Sequence, residues 1–529
     1  MVNWLRALFS PAPGLQLAPD AIPVPWPAEP AAIFERITSG ERQADGSLRD
    51  ATFLLPGENE FGSKVSNGVS DHSYAYELEA LERAQAHDVS RALCRAADDH
   101  AAPRIANMYR LVLSAPSAAV GHDLLARLER SGADPARMAL LARWLAHKAP
   151  DAIAIEIAIS VLGRYGSASD AALLMTLGLH EEFTQLCAIA LCKLLEPEQS
   201  QTAMWNLARH VHGWGRVHVV RMLATTECPE IQQWLLRDGY KTSCMAGYLA
   251  YLCATGGKMR EALQAPASDK RLLIGAGEII VGLFDGRDGP GKTMADYADG
   301  FAATLAYLQD VQRQRPQQLR VAASVGAIAV MDSYGWNEAQ LRQVKHLAKQ
   351  ILAMDYWPAL VQDKLRFGND DEFDVAATVA RAFRVDAWEF QFAKQQRRER
   401  SQWYWLTDTT DPARVDRYVA LAMEQLDLAA LESADFGTHS AINWLAIGLR
   451  KFPGKGWPIL RAALTGGDSA NKSNALDSLA RWRKEHWHAD AVAVLERACH
   501  TEAHSRVRQE MEHLLLKHAV KRNRDRSGA

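Results

Sequence analysis

At 529 residues, 48% of them hydrophobic and 23% charged, the chain is several domain lengths long and carries enough apolar surface for a large core, which excludes extended disorder. A formal charge of -3 provides no global attraction to nucleic acid or to an anionic membrane, so a partner of either kind would require a local basic face. Seven cysteines without any CxxC spacing exclude a disulfide framework and suit a reducing compartment, so the chain is expected to be cytoplasmic.

In chain order, residues 1–75 are expected to form an irregular arm. The opening MVNWLRALFSPAPG is interrupted by Arg6 and Pro11 before a secretory core could form. Seven prolines between Pro11 and Pro30 oppose helix and central strand, and PGENEFGSKVSNGVSD, from Pro56 to Asp71, is rich in turn formers.

Residues 76–285 predict a first helical-repeat region. Ile155, Ala158, Ile159 and Leu162 make one helical stripe; Phe183, Leu186, Cys187 and Ala190 make a second; Met245, Tyr248, Leu249 and Leu252 make a third. Gly163, Gly166, Gly213, Gly215, Pro229, Gly256 and Gly257 are expected to punctuate the runs. Within this region His210, His212, Trp214, Arg216 and His218 crowd a Gly-X-Gly turn. Three imidazoles could hold zinc, or an anion could lie beside Arg216, but the spacing follows no recognised ligand pattern. The alternative is a packing tryptophan on a tight turn, so His212, Trp214 and Arg216 are candidates for partner contact.

The next segment, 286–294, is expected to be a loop. Gly286 to Thr293 satisfies the phosphate-loop pattern GxxxxGK[ST], making Gly286, Gly291, Lys292 and Thr293 candidate nucleotide contacts. That chemistry needs strands, and EIIVGLF before it and AIAVMD up to Asp332 could be read as such. LLIGAGEIIVGLF fits a buried helix equally, and no surrounding strand–helix alternation supplies the required sheet. The apolar runs here are too short to cross a bilayer.

Residues 295–529 predict a second helical region with a basic tail. Gln395 to Trp405 interleaves Arg397, Arg398 and Arg400 with Trp403, Tyr404 and Trp405. Such a mixture suits a protein interface or single-stranded nucleic acid, and fits equally a charged helix end followed by buried aromatics. The stripes Ile442/Leu445/Leu449, Ala475/Leu479/Trp482 and Val507/Met511/Leu514 recur about every 32 residues. Between them lie second helices marked by Trp457, Leu460, Leu464 and by Val492, Leu495, Cys499. His486, His488, Cys499, His500 and His504 cluster near the turns without HExxH spacing.

Gly437 to Leu516, with its helix, short turn and second helix, resembles HEAT-type repeats, and Asp151 to Leu252 is similar in degenerate form. GWGRVHVVRML and FPGKGWPILRAAL also resemble segments of large bacterial helical-repeat proteins, some of which carry a limonene hydroxylase label; no haem, flavin or non-haem-iron motif accompanies the likeness here. The resemblance implies an all-α solenoid of stacked helix pairs acting as a non-enzymatic, protein-binding scaffold without cofactor or metal. Sequestering a dedicated partner, as an immunity protein holds its toxin, would be one such role. A nucleotide enzyme using Lys292 and Thr293, or nucleic-acid binding through Arg397, Arg398 and Arg400, are the alternatives.

Overall fold

A computed structural model describes residues 22–55, 79–114, 120–242, 246–265, 269–285, 291–332, 335–429 and 436–527. The regular elements among them are helices; the one β-bridge, Arg42 with Leu48, stands alone. No described helix is long and apolar enough to cross a membrane. The chain divides into two compact units, Met1–Met354 and Asp355–Ala529. Residues 291–294, the described part of the segment expected to be a loop, belong to the first unit.

In the first unit, Ala152–Tyr165 (α1), Glu181–Leu194 (α2), Gly213–Leu223 (α4), Gly247–Gly256 (α6), Lys270–Asp285 (α7) and Leu319–Val330 (α8) form a row, each packed on the next. Pro197–His210 (α3) fills the connection between α2 and α4 and packs on both. Pro229–Trp234 (α5) continues into a π-helical turn, Leu235–Gly239, that packs on α6 and α7. The row follows from the stripes. Ile155, Ala158, Ile159 and Leu162 are buried, as are Phe183, Cys187 and Ala190, because a helix with one apolar side must cover it with a neighbour.

Two glycines expected to break helices lie inside them. An added Cβ at Gly163 would come 3.0 Å from the Ala190 Cβ, and one at Gly215 2.7 Å from Thr184 Oγ1. Both let one helix approach the next closely, so they serve packing and not termination. The tightest approach is at Gly275 of α7, where a Cβ would fall 1.8 Å from the Leu236 carbonyl oxygen in the π-helical turn. Gly275→Ala is expected to lower stability by about 1–3 kcal/mol, the cost of overpacking. The shift of the urea midpoint measures it; an unchanged midpoint would contradict this contact.

The N-terminal stretch is only partly the irregular arm expected. Residues 22–32 are non-helical, but Ile33–Ser39 is a helix with Ile33 and Ile37 fully buried. The segment docks on the first unit: the Ile33 amide donates to the Ala149 carbonyl at 3.2 Å, and Trp26 packs on Tyr109 and Trp144. Further on, the Glu181 amide donates to the Ala51 carbonyl, and His180 Nε2 meets the Phe53 carbonyl at 3.1 Å. Scattered apolar residues without a period hide such docking from sequence reading, since nothing local announces where they bind.

In the second unit Phe436–Leu449 (α9), Ser469–Arg481 (α11) and Ser505–Ser527 (α13) pack in succession; Trp457–Thr465 (α10) packs on Ala491–Thr501 (α12). Helices α9 and α11 are joined by hydrogen bonds between positions 31 or 32 residues apart. Ser478 donates to the Ala446 carbonyl at 2.8 Å, Trp482 Nε1 to the Arg450 carbonyl at 3.3 Å, and the Asn474 amide to Asn443 Oδ1 at 2.5 Å. The nearly constant offset holds α9 and α11 in one register along their contact.

Candidate functional site

The turn between α3 and α4 is built from the residues outward. Gly213 takes φ +55°, and a Cβ there would meet the Glu181 carboxylate at 2.8 Å, so glycine is required on both counts. Glu181 accepts the Trp214 amide at 2.6 Å, capping the start of α4. Burial raises the Glu181 carboxyl pKa above its usual value despite this bond. The Trp214 ring meets Tyr248 edge-on at 4.8 Å.

Arg216, 6% exposed, is the centre of the turn. Its Nε donates to the carbonyls of Ala208 (3.1 Å) and Val211 (2.8 Å), and its Nη1 to that of Lys241 (2.8 Å). One guanidinium thus joins the end of α3, the turn, and the segment after the π-helical turn. Burial lowers its pKa, against raising contributions from Asp45 and Asp238. No described carboxylate lies within ion-pair distance of it.

Around Arg216 opens a cleft of ≈ 870 Å³, lined also by Trp205 and Arg209 of α3, Trp234 of α5, Asp238 and Lys241, Arg271 of α7, and Asp45 and His212. The Arg209 guanidinium lies over the Trp205 ring at 5.6 Å, the position an i, i+4 pair reaches on a helix. Asp238 pairs with Lys241 at 2.9 Å and with Arg271. Burial alone would raise the Asp238 pKa; those two cations hold it below its usual range. His212 Nε2 lies 3.3 Å from Ser47 Oγ and 3.8 Å from Asp45. Burial and Arg216 lower its pKa below the ordinary imidazole value, against a raising contribution from Asp45.

Of the expected sites, His212 and Arg216 line this cleft and Trp214 does not. The phosphate-loop candidates stand elsewhere. Gly286 lies outside the described residues, and EIIVGLF belongs to helix α7 and not to a strand, as AIAV belongs to α8. The Lys292 ammonium sits over the Tyr251 ring at 4.8 Å. Thr293 donates its amide (2.8 Å) and hydroxyl (3.1 Å) to Asp296. A helix precedes the loop because its apolar residues bury against α6 and α8 in the row.

The arginine–tryptophan segment is divided between roles. Arg397 pairs with Glu399 and Arg400 with Asp374, both at 2.5 Å, while Arg398 occupies φ +54°. Trp403 is 3% exposed within the core of the second unit. Tyr404, 48% exposed, meets Trp405 at 4.8 Å and Trp444 at 4.6 Å, both edge-on. These three rings form an aromatic ridge in which Tyr404 is exposed and Trp405 and Trp444 are half-buried, and Trp405 also borders a pocket with Arg381 and Arg384.

His210 Nδ1 meets the Asn206 carbonyl at 2.6 Å, and His488 stacks on Trp457. No group of three His, Cys, Asp or Glu side chains among the described residues is arranged to hold a metal ion.

No family model, curated protein or solved structure matches this chain.

The cleft residues that sequence reading missed are Asp45, Trp205, Arg209, Trp234, Asp238, Lys241, Thr242 and Arg271. The Trp205/Arg209 spacing in WNLARH is a local signal. The others come from the N-terminal segment, α5, the π-helical turn, the residues just after it and α7, and only packing brings them together.

Proposed function

We propose that the chain is a HEAT-like α-solenoid that serves as a binding scaffold for a partner protein. The observation that carries the reading is the succession of packed helices in the second unit, α9 on α11 on α13 and α10 on α12, with α9 and α11 joined through positions 31 or 32 residues apart. Stacked helix pairs expose long surfaces formed by many side chains, which suit the holding of another macromolecule. The ridge of Tyr404, Trp405 and Trp444 supplies the residue types that anchor protein interfaces. The ion pairs of Arg397 and Arg400 with nearby carboxylates favour protein over nucleic acid at this place, since a phosphate would have to displace them. Sequestration of a single dedicated partner is the specific form of this proposal.

The test is affinity capture from the source cells with the wild-type chain and with Tyr404→Ala. The expected result is one protein recovered stoichiometrically by the wild type, with affinity reduced by about 2 kcal/mol or more in the variant. Equal recovery by both, or none by either, counts against the reading.

A further inference from the structure

The cleft around Arg216 has a charge pattern that packing alone does not require. Four permanent cations, Arg209, Arg216, Lys241 and Arg271, face two carboxylates, Asp45 and Asp238. Lys241 and Arg271 share Asp238. Arg209 and Arg216 have no described carboxylate within ion-pair distance.

Two unmatched guanidinium groups at one polar opening suit a doubly charged oxyanion better than a single carboxylate. Each presents N–H donors in a plane, the geometry that phosphate oxygens accept. Arg216 uses Nε and Nη1 on backbone carbonyls, which holds its orientation at the cleft wall. A preoriented donor loses little freedom on binding. The tryptophans at the opening, Trp205 and Trp234, offer apolar surface beside the charge, and Trp205 Nε1 is buried without a hydrogen-bond partner. The volume of ≈ 870 Å³ lies within the range of small-molecule sites, about 300–1,000 Å³.

We infer that this cleft binds a phosphate monoester dianion, with Arg209 and Arg216 as its principal cations. Lys241 and Arg271 add long-range attraction, tempered by Asp238. The site is independent of the partner-protein reading, because the aromatic ridge belongs to the other unit.

Isothermal titration calorimetry of the full chain with inorganic phosphate, pyrophosphate, adenosine monophosphate and a phosphoserine peptide tests it. Arg209 is exposed, so Arg209→Gln should retain the fold, which circular dichroism checks. The expected result is saturable binding of a phosphate compound, weakened about tenfold or more in Arg209→Gln and by a smaller factor in Lys241→Gln, and unchanged in Lys292→Ala. Preference for the peptide would identify a phosphorylated side chain as the source of the phosphate, and preference for the nucleotide a free metabolite; either supports the site. Absence of saturable binding to all four probes overturns the inference. Binding insensitive to Arg209→Gln and Lys241→Gln, or abolished by Lys292→Ala, overturns it as well and transfers the phosphate to the Lys292 loop.

Discussion

Arg216→Met is expected to destabilise the junction of α3 and α4 by about 3–5 kcal/mol, because three carbonyls lose a charged donor and the buried ones among them each cost about 1–3 kcal/mol when left unpaired. The carbonyls are those of Ala208, Val211 and Lys241, and methionine fills much of the space without offering a proton. Arg216→Lys should recover only part of the loss, since a single ammonium cannot span three acceptors the way a planar guanidinium does. Amide hydrogen exchange reads the effect where it arises. Protection through α3 and α4 should fall on the order of a hundredfold for each ~3 kcal/mol. Exchange within a factor of about three of wild type in Arg216→Met would remove the keystone role assigned to this side chain.

The second large effect belongs to the other unit. Lys472 and Glu502 pair at 2.6 Å with side chains 13% and 5% exposed, joining α11 to the turn between α12 and α13. Lys472→Met leaves a buried carboxylate without its cation, which is expected to cost about 3 kcal/mol at neutral pH. Glu502→Gln together with Lys472→Met should be milder than the single change, because no uncompensated charge remains.

The pH dependence follows from the direction of the Glu502 shift. Burial would raise its pKa, but the hydrogen bond from Lys472, the His504 amide and the nearby positive charges bring it below the usual glutamate value. A depressed carboxyl contributes stability that is fully present above its unfolded pKa of about 4.3 and is lost as pH falls through the folded value. The gap between wild type and Lys472→Met should therefore be constant above about pH 5.5 and close progressively below about pH 4. Urea midpoints measured across that interval check it. A gap that stays constant down to acid pH would assign the loss to packing of the lysine stem and not to its charge.

The helices of the second unit are legible in its sequence because their apolar positions recur at a helical period and again at about 32 residues. Trp457, Leu460 and Leu464 fall in one helix, with Pro458 in its first turn, and Val507, Met511 and Leu514 in another. The candidate site is only half legible. Arg216 and His212 stand in a local cluster that draws notice from sequence, whereas Trp234, Lys241 and Arg271 reach the same cleft from segments whose local pattern is ordinary. The phosphate-loop match shows the opposite case: a letter-for-letter pattern whose preceding residues are helical, with its lysine over Tyr251 and its threonine held by Asp296.

By itself the sequence determined that this protein is built of helices, since the period of apolar side chains is a local property that any amphipathic helix must satisfy to hide one side from water. Tertiary structure alone decided which polar residues meet. The docking of residues 22–55, the burial of Arg216 among three carbonyls, and the gathering of four cations around one cleft depend on contacts between segments distant along the chain. Their partners follow from how helices pack, and no periodicity encodes that.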